Sequence, residues 1–255
     1  MSKRIEDFTI TGTWFLNKDI FILELRGNSY LPEMKPGQFV QVKVEGSPET
    51  FLRRPLSVHD VDYEKNTVLL LVQVAGKGTE TLSKLKSGDS LNLVYPLGNS
   101  FSMPAENERM LLIGGGCGVA PLLFLGKYLK SRGYHPEILL GFRNAERIIE
   151  YDEYRKLGTV YLTTEDGSRG EQGFVTDHSI LKNSSFDRIY CCGPQLMMQR
   201  VAGYSKERKI NCEVSLENLM ACGIGACLCC VTDTVRGHLC TCIDGPVFNV
   251  RDLKW

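Results

Sequence analysis

Six of the ten cysteines lie within 21 residues near the C-terminus, and this crowding constrains the fold more than any other sequence feature. Three of the six form the run Cys222-x4-Cys227-x2-Cys230, which Cys242 follows. The order C-x4-C-x2-C…C is the plant-type spacing for a [2Fe–2S] cluster. Because thiolates are soft, anionic ligands suited to iron, the segment predicts an iron–sulfur site.

The cysteine run leaves two alternatives open. Four cysteines also suit a tetrahedral zinc ion, although structural zinc sites commonly use paired C-x2-C knuckles and only one such pair fits cleanly here. Cys229 and Cys240 are surplus to a four-ligand site, so each is either a small buried hydrophobe or an alternative ligand. Gly223 and Gly225 suit a cluster, because they let a loop wrap the inorganic core and direct backbone N–H groups at the sulfurs.

Length, charge and hydropathy argue against several other classes of protein. At 255 residues, the chain is long enough for roughly two domains. Its 30 Lys and Arg residues balance 30 Asp and Glu residues, which argues against a nucleic-acid-binding protein that relies on a strong positive field. No apolar run reaches the roughly 18 residues of a membrane helix, and the N-terminus does not read as a secretory signal. We therefore expect a cytoplasmic protein that binds neither nucleic acid nor membrane and whose cysteines are not paired as disulfides.

The first hundred residues have the pattern of β structure. Turn residues such as Pro36-Gly37 separate short β-branched and aliphatic runs, and Val40, Val42 and Val44 alternate with polar residues as in a half-buried strand. The pattern predicts a sandwich or small barrel with one helix near residues 79–86. The predicted strands lie at residues 20–25, 40–44, 67–74 and 91–94.

From about residue 105, apolar strands alternate with helical periodicity, which predicts βαβ units and a parallel sheet. One helix is expected from Pro121 and another near Pro194. The strands are expected at residues 110–113, 137–142, 160–162 and 188–191. We divide the chain into a barrel at 1–103, an α/β domain at 104–208 and a cysteine-rich segment at 209–255.

Two motifs in the α/β domain indicate a nucleotide site. Gly114-Gly-Gly-Cys-Gly-Val-Ala-Pro121 joins a strand to a helix, whose free N–H groups and partial positive charge suit a pyrophosphate. The motif is not a strict G-x-G-x-x-G, so a tight turn without a ligand remains the alternative. Cys191-Cys-Gly-Pro194 ends a strand where an α/β sheet places its ligand crevice. A thiol there is either a nicotinamide contact or a buried strand-end cysteine.

Two motifs in the barrel suggest a second phosphate-containing ligand. In Phe51-Leu-Arg-Arg-Pro-Leu-Ser57, an Arg and a Ser three residues later can present a guanidinium and a hydroxyl to a phosphate or a flavin edge. A solvated basic turn is the alternative. In Gly76-Lys-Gly-Thr79, the backbone N–H groups of Gly78 and Thr79 precede a helical stretch and suit a phosphate.

Taken in order, these motifs resemble those of the ferredoxin–NADP reductase superfamily, and the resemblance covers essentially the whole chain. Arg-Pro-x-Ser, Gly-x-Gly-Thr, Gly-Gly-Gly-x-Gly-x-Ala-Pro and Cys-Gly-Pro follow one another as in that superfamily. The tail, Leu-Glu-Asn-Leu-Met-Ala-Cys-Gly-Ile-Gly-Ala-Cys at 216–227 and Cys-Ile-Asp-Gly-Pro-Val-Phe at 242–248, resembles the iron–sulfur electron-transfer subunits of class 1B dihydroorotate dehydrogenases. In that family the last ligand precedes x-Asp-Gly-Pro-Val-Phe, which implies Cys242 rather than Cys240 as the fourth ligand.

The resemblance implies a FAD-binding barrel, an NAD-binding α/β domain and a small C-terminal [2Fe–2S] module. The implied FAD-binding residues are Arg54, Pro55, Leu56, Ser57, Leu71, Val72, Gln73, Gly78 and Thr79. The implied NAD-binding residues are Gly114, Gly115, Gly116, Gly118, Pro121, Cys192, Gly193 and Pro194. The implied cluster ligands are Cys222, Cys227, Cys230 and Cys242.

The resemblance also implies a function and a partner. Electrons would pass from dihydroorotate to the FMN of a catalytic subunit, then through the cluster and FAD to NAD+, with two copies of each subunit. We expect no general base for dihydroorotate oxidation in this chain. One alternative is an NAD(P)H reductase subunit of a hydrogenase or another ferredoxin-linked complex, and another is a nonenzymatic interaction protein stabilised by zinc.

Overall fold

A computed structural model describes residues 3–46 and 49–255, so the first two residues of the predicted barrel segment and residues 47 and 48 lie outside the described residues. The first unit is a closed barrel with the strand order β1-β2-β5-β4-β3-β6. Its strands are β1 (Arg4–Phe15), β2 (Ile20–Gly27), β3 (Phe39–Val42), β4 (Arg54–Asp62), β5 (Thr67–Gln73) and β6 (Ser90–Leu97), and helix α1 (Lys77–Leu82) lies between β5 and β6. The barrel confirms the predicted fold class of this half.

The barrel interior is a single apolar core to which every strand contributes. Phe8 from β1, Leu23 from β2 and Leu70 from β5 are fully buried there. Val42 from β3 and Leu93 from β6 are buried in the same core. Because side chains alternate between the two faces of a strand, each strand supplies apolar residues inward at every second position.

The second unit is a seven-stranded sheet with the order β10-β9-β8-β7-β11-β12-β15. Every neighbouring pair is parallel except β12 and β15, which are antiparallel. Its strands are β7 (Met110–Gly115), β8 (Glu137–Phe142), β9 (Val160–Thr164), β10 (Glu171–Gln172), β11 (Arg188–Cys192), β12 (Asn211–Ser215) and β15 (Val247–Asn249). The mainly parallel sheet confirms the predicted α/β class.

Helices connect the parallel strands and cover the sheet. The α-helices are α2 (Ala120–Lys130), α3 (Tyr151–Arg155), α4 (Ile180–Asn183) and α5 (Gln195–Glu207). Short 3-10 helices lie at Gly116–Val119, Ala145–Arg147 and Val175–Asp177. Pro121 stands in the first turn of α2, where its missing N–H costs no helical hydrogen bond. Within residues 3–46 and 49–255, no helix combines the length and the apolar composition needed to cross a membrane.

The cysteine-rich segment is divided between the large sheet and a small hairpin. β12 and β15 extend the sheet, whereas β13 (Val231–Thr234) and β14 (Gly237–Cys240) pair only with each other as a sheet. We define the hairpin and its flanking loops, residues 216–246, as the cysteine module. The module packs on the outer wall of the barrel through an apolar contact that joins Phe39, Val94 and Leu97 to Met220 and three cysteines. The division at residue 208 stays a prediction.

The segment that follows Cys242 is attached to both larger units. Asn99, which follows the barrel strand β6, donates from Nδ2 to the carbonyl oxygens of Asp244 at 2.8 Å and Val247 at 2.9 Å. Its Oδ1 accepts from the Val247 N–H at 3.0 Å. Val247 also begins β15, so the same residue belongs to the large sheet.

The barrel differs from the prediction in several details, and two of its strands, β1 and β4, have no counterpart among the predicted strands. The strand predicted at 40–44 as half-buried is β3, which ends at Val42 and is buried throughout, including Gln41. That prediction is wrong because the cysteine module covers the outer face of β3. β6 is longer than the strand predicted at 91–94 and includes Pro96, and α1 begins two residues earlier than the predicted helix.

Candidate functional site

The candidate iron–sulfur site is formed by two loops that the β13–β14 hairpin brings together. Cys222, Cys227 and Cys230 lie in the connection from β12 to β13, and Cys242 follows β14 by two residues. Because β13 pairs with β14, the end of the first loop lies beside the start of the second. Cys230 and Cys242 are buried, whereas Cys227 is exposed at the protein surface.

Backbone N–H groups in these loops point at cysteine sulfurs. The Ile224 N–H donates to Cys222 Sγ at 3.4 Å, and the Gly225 N–H donates to Cys242 Sγ at 3.2 Å. The Cys242 N–H donates to Cys230 Sγ at 3.4 Å. Such donors stabilise thiolates, and in iron–sulfur proteins they tune the reduction potential of the cluster. The donor set therefore fits a cysteine-ligated cluster.

Two glycines give the first loop its shape. Gly223 has φ of 70° and Gly225 has φ of 83°, a left-handed region that side chains disfavour. A Cβ on Gly223 would lie 2.7 Å from Gln41 Cγ, and one on Gly225 would lie 2.7 Å from Ile243 Cδ1. A larger residue would therefore adopt a strained backbone conformation at either position and would have to displace the Gln41 or the Ile243 side chain.

The environment of the thiols differs across the site. Burial would raise the pKa of Cys222, but N–H donors from Ile224, Cys227 and Ala226 outweigh it and lower the pKa to about 6. Burial, together with the neighbouring Cys230, raises the pKa of Cys242 to about 12. The backbone donors therefore favour the thiolate at Cys222, whereas burial disfavours it at Cys242, where a bound cation would offset that effect.

Single-ion and two-iron sites place different demands on the cysteines. In the part of the chain that the structure describes, no group of three or more His, Cys, Asp or Glu side chains is placed to hold one metal ion. A two-iron cluster divides its four thiolates between two irons. Of the surplus thiols, Cys229 is exposed with its Sγ 3.8 Å from the Leu219 carbonyl oxygen, and Cys240 is buried in the contact with the barrel. The choice of Cys242 over Cys240 stays a prediction.

The predicted flavin motifs meet at one side of the barrel. The half-buried residues Arg54, Pro55, Leu56 and Ser57 begin β4. Gly78 is buried in α1 and faces Arg54, because a Cβ on Gly78 would lie 3.2 Å from Arg54 Nε. The two motifs therefore form one cradle that combines a guanidinium with the closely approaching backbone of α1, which suits a pyrophosphate.

The remaining predicted flavin residues are placed less favourably for side-chain contacts. The Thr79 hydroxyl accepts from the Ala75 N–H at 2.8 Å and holds the turn before α1. Leu71 is buried against the α/β unit, and Val72 is buried inside the barrel. Only the Gln73 side chain is exposed among the three predicted residues of β5. The structure thus does not bring the side chains of Leu71 and Val72 to an open surface.

We expect Arg54→Ala to weaken FAD binding by about 1.5–3 kcal/mol, or roughly 10- to 150-fold, because the cradle loses its charge-assisted donor. Arg53→Ala is the matched control. Arg53 holds the barrel together by donating to the carbonyl oxygens of Gln41 at 3.2 Å and Asn92 at 3.1 Å, so its loss should lower stability without weakening FAD binding. Fluorescence titration of FAD into the apo-proteins checks both expectations. Equal FAD affinity in Arg54→Ala and wild type would contradict this role.

The two predicted nucleotide motifs are in direct contact. A Cβ on Gly115, at the end of β7, would lie 3.2 Å from Pro194 Cδ and 2.5 Å from Met197 Sδ. A Cβ on Gly118 would overlap the backbone of Gly193. The carboxyl ends of β7 and β11 therefore form one crevice lined by backbone, the position where α/β sheets bind nucleotides. The flanking predicted residues occupy the same turn and the first turn of α2, and they are Gly114, Gly116 and Pro121.

A carboxyl group that the sequence analysis missed lies at this crevice. Glu217 Oε1 is 4.0 Å from Cys192 Sγ, and Cys192 is fully buried with its thiol 3.5 Å from the Ser215 carbonyl oxygen. The Glu217 side chain is exposed at the surface, but neighbouring protein atoms displace part of its hydration shell. This desolvation raises the pKa of Glu217. Burial, reinforced by Glu217, raises the pKa of Cys117 to about 12. A single Glu among cysteines has no spacing signal, so only the fold locates it.

A cleft of about 520 Å³ lies elsewhere, between the barrel and the α/β unit. Its lining includes Trp14, Glu150 and Arg169, and it contains none of the predicted cofactor residues. The guanidinium of Arg169 lies 4.6 Å above the centre of the Tyr151 ring. His59 is fully buried at this junction, with Nε2 2.9 Å from Glu150 Oε1. The placement of FAD at the cradle and of NAD at the crevice, and not in this cleft, stays a prediction.

Three family models match successive parts of the chain. An oxidoreductase FAD-binding domain matches residues 8–101, and an oxidoreductase NAD-binding domain matches residues 112–203. The iron–sulfur cluster binding domain of dihydroorotate dehydrogenase B matches residues 217–254. The three matches correspond to the barrel, the α/β unit and the cysteine module.

Several curated proteins are similar over nearly the whole chain. The dihydroorotate dehydrogenase B (NAD(+)) electron transfer subunit of Fusobacterium nucleatum is 35% identical, over 98% of this chain and 99% of that protein. The corresponding subunits of Bacillus mycoides and Clostridium acetobutylicum are each 39% identical, over 92% of this chain and more than 90% of theirs.

Solved structures share the fold. A chain of the NADH-dependent reduced ferredoxin–NADP oxidoreductase, described in connection with flavin-based electron bifurcation, superposes with a TM-score of 0.88 at 32% identity, over 97% of this chain and 90% of that chain. The ferredoxin reductase of carbazole 1,9a-dioxygenase superposes with a TM-score of 0.70 at 18% identity, over 82% of this chain and 67% of that chain, which shows the fold alone.

Proposed function

The chain belongs to the family of electron transfer subunits of dihydroorotate dehydrogenase B, and on that premise we propose that it conducts electrons from a catalytic partner subunit through a [2Fe–2S] cluster and FAD to NAD+. When bound, these groups supply the chemistry: single electrons at iron, a hydride at nicotinamide, and conversion between the two at flavin. The protein's own task is to hold the three groups in sequence and exclude other reactions.

The observation that carries this proposal is the packing of the cysteine module on the barrel wall beside the flavin cradle. Phe39 of β3 contacts the module, and β3 pairs with β4, the strand that begins with Arg54. The predicted cluster ligands and the predicted flavin residues thus lie on adjacent parts of one wall. This arrangement supports direct electron transfer between them.

In the cluster loops, Cys222, Cys227, Cys230 and Cys242 would hold the irons, while the N–H groups of Ile224 and Gly225 stabilise the charge on their sulfurs. In the crevice, the backbone around Gly115 and Gly118 would bind the NAD pyrophosphate, and the buried Cys192 and the Gly193 turn would flank the nicotinamide.

Exposed apolar side chains around the cysteine loops support a docking surface for the catalytic subunit. Four such side chains lie within the loops, and they are Leu219, Ile224, Leu228 and Ile243. Leu219 is 87% exposed and the ligand Cys227 is also at the surface. Apolar groups clustered around a redox centre are typical of a protein interface, which also brings the partner's cofactor close. An FMN in that partner, two copies of each subunit and a cytoplasmic location stay predictions.

We expect Leu219→Asp to weaken association with the catalytic subunit at least tenfold, because a carboxylate would be buried against apolar surface. Tyr30→Asp, at a 91% exposed position between β2 and β3, is the control for adding a surface charge. Surface plasmon resonance against the immobilised catalytic subunit measures both. Full affinity in Leu219→Asp would place the interface elsewhere.

The test of the function is coexpression with an FMN-type dihydroorotate dehydrogenase subunit, followed by iron and flavin analysis of the copurified material. We expect two irons and one FAD per chain, and NAD+ reduction that depends on dihydroorotate. An isolated chain that contains zinc and no flavin would support a zinc-stabilised interaction protein instead.

A second candidate function is an NAD(P)H reductase subunit of a ferredoxin-linked complex. The observation that favours it is the 32% identity to the ferredoxin–NADP oxidoreductase chain, close to the 35–39% found for the dihydroorotate dehydrogenase relatives. Failure to copurify with the dihydroorotate dehydrogenase subunit, together with ferredoxin-dependent NAD+ reduction, would select this candidate.

A further inference from the structure

Gln41 is a fully buried amide with no hydrogen-bond partner among the described residues. It lies in β3 with none of its surface exposed, and both Nε2 and Oε1 lack a partner. An unsatisfied buried amide costs about 1–3 kcal/mol in proteins, so native structures seldom retain one without a reason. Leucine or methionine would fill the same space at no such cost.

The amide points out of the barrel toward the cysteine module. Side chains alternate along β3, and Val40 and Val42 face the barrel interior. Phe39 therefore shares the outer face with Gln41, and Phe39 contacts the module. A Cβ on Gly223 would lie 2.9 Å from Gln41 Nε2, so the amide is packed against the residue that follows Cys222.

The flavin cradle lies next to Gln41 along the same wall. Gln41 pairs with Pro55 across β3 and β4, and directly opposed residues of an antiparallel pair project to the same face. Pro55 belongs to the predicted flavin motif. Gln41 is thus next to the flavin cradle along the wall, and its Nε2 is packed against the cluster loop at Gly223.

We propose that the Gln41 amide donates a hydrogen bond to a sulfur of the bound cluster and thereby sets its reduction potential. The proposal rests on the proposed function, since it requires the cluster. The sulfide and thiolate sulfurs of a cluster carry no proton and can only accept, so the NH2 group is the part of the amide that would face them. The reduced cluster carries one more negative charge than the oxidised one, so an N–H donor stabilises the reduced form more and raises the potential.

The test is a redox titration of Gln41→Leu in the complex with the catalytic subunit, monitored by electron paramagnetic resonance of the reduced cluster. We expect full iron content and a potential shifted to more negative values. At a fixed solution potential, the ratio of reduced to oxidised cluster should fall about tenfold. This change corresponds to a shift of about 59 mV in a one-electron reduction potential. The deuterium-sensitive Fe–S stretching bands in the resonance Raman spectrum should also lose part of their isotope shift.

Gln38→Leu is the matched control, because Gln38 is a buried amide of the same region whose hydrogen bonds are all internal. Its Oε1 accepts from the Lys35 N–H at 2.8 Å, and its Nε2 donates to the Gly98 carbonyl oxygen at 3.1 Å. Gln38→Leu should lower the melting temperature of the cluster-free chain and leave the cluster potential unchanged. Gln41→Leu should do the reverse, with an unchanged or higher melting temperature, because no partner is lost.

The possible outcomes distinguish a failure of the inference about Gln41 from a failure of the proposed electron-transfer function. An unchanged cluster potential in Gln41→Leu, at full iron content, would overturn the inference about Gln41. It would leave the proposed electron transfer from the cluster through FAD to NAD+ unaffected. A shift confined to the flavin potential would overturn it as well. Iron lost from Gln41→Leu at an unchanged melting temperature of the cluster-free chain would support contact with the cluster. A wild-type chain without iron would overturn the proposed function itself.

Discussion

Cys227→Ala is expected to yield a yellow protein that retains FAD but contains essentially no iron. Alanine supplies no ligand, and three thiolates leave one iron with an open coordination position at the protein surface, where Cys227 is exposed. The flavin cradle should survive, because Arg54 and Gly78 belong to the barrel. Iron and acid-labile sulfide analysis, with the visible spectrum as a check on flavin, measures the result. Dihydroorotate-dependent NAD+ reduction should fall to background.

Cys229→Ala is the matched control, because it removes an exposed thiol only two residues away. Cys229 Sγ has a weak contact with the Leu219 carbonyl oxygen and is not a proposed ligand. We expect it to keep full iron and activity. Full iron in Cys227→Ala, or loss of iron in Cys229→Ala, would show that the ligand set is assigned wrongly.

Gly118→Ala is expected to weaken NADH binding at least 100-fold while FAD and iron remain bound. The added methyl group would overlap the backbone at Gly193 and Cys192, and backbone cannot rotate away as a flexible side chain can. Either the glycine-rich turn or the end of β11 must shift, and a displacement of about 1 Å in a binding site costs on the order of 100-fold. Isothermal titration with NADH measures the loss, and thermal unfolding should show a lower melting temperature.

Gly203→Ala, in α5 of the same unit, is the control for adding a methyl group to a glycine. A Cβ at Gly203 meets nothing within 4 Å, so alanine should stabilise the helix by about 0.5–1 kcal/mol and leave NADH binding unchanged. NADH affinity in Gly118→Ala within twofold of wild type would refute the proposed crevice.

Sequence motifs predicted the local parts of this molecule well. The spacing from Cys222 to Cys230 predicts an iron–sulfur loop, and the family model for such a domain confirms it. The glycine-rich turn before α2 marks the nucleotide unit, which the NAD-binding model also confirms. These features are short-range, because the residues that create them are neighbours in sequence and their chemistry depends on spacing alone.

What the sequence did not show depends on packing between distant segments. Gln41 alternates with valines and has the pattern of an exposed position, yet the cysteine module covers it. Glu217 reaches Cys192 only because β12 lies beside β11. β15 follows the cysteine module yet joins the large sheet, so the chain order of the units differs from their order in space. Periodicity within a strand cannot report such long-range contacts.

The bridge made by Asn99 and β15 limits how the enzyme can move. Many two-unit proteins open and close around a ligand by a hinge, but here the tail binds the barrel through Asn99 and the large sheet through β12. A swing of one unit away from the other would have to peel a strand from its sheet and pull on the loop that carries Cys242. We therefore expect the distances between the cluster, FAD and NAD sites to stay fixed during turnover. The turnover rate would then be set by the arrival and departure of nucleotide and not by domain closure.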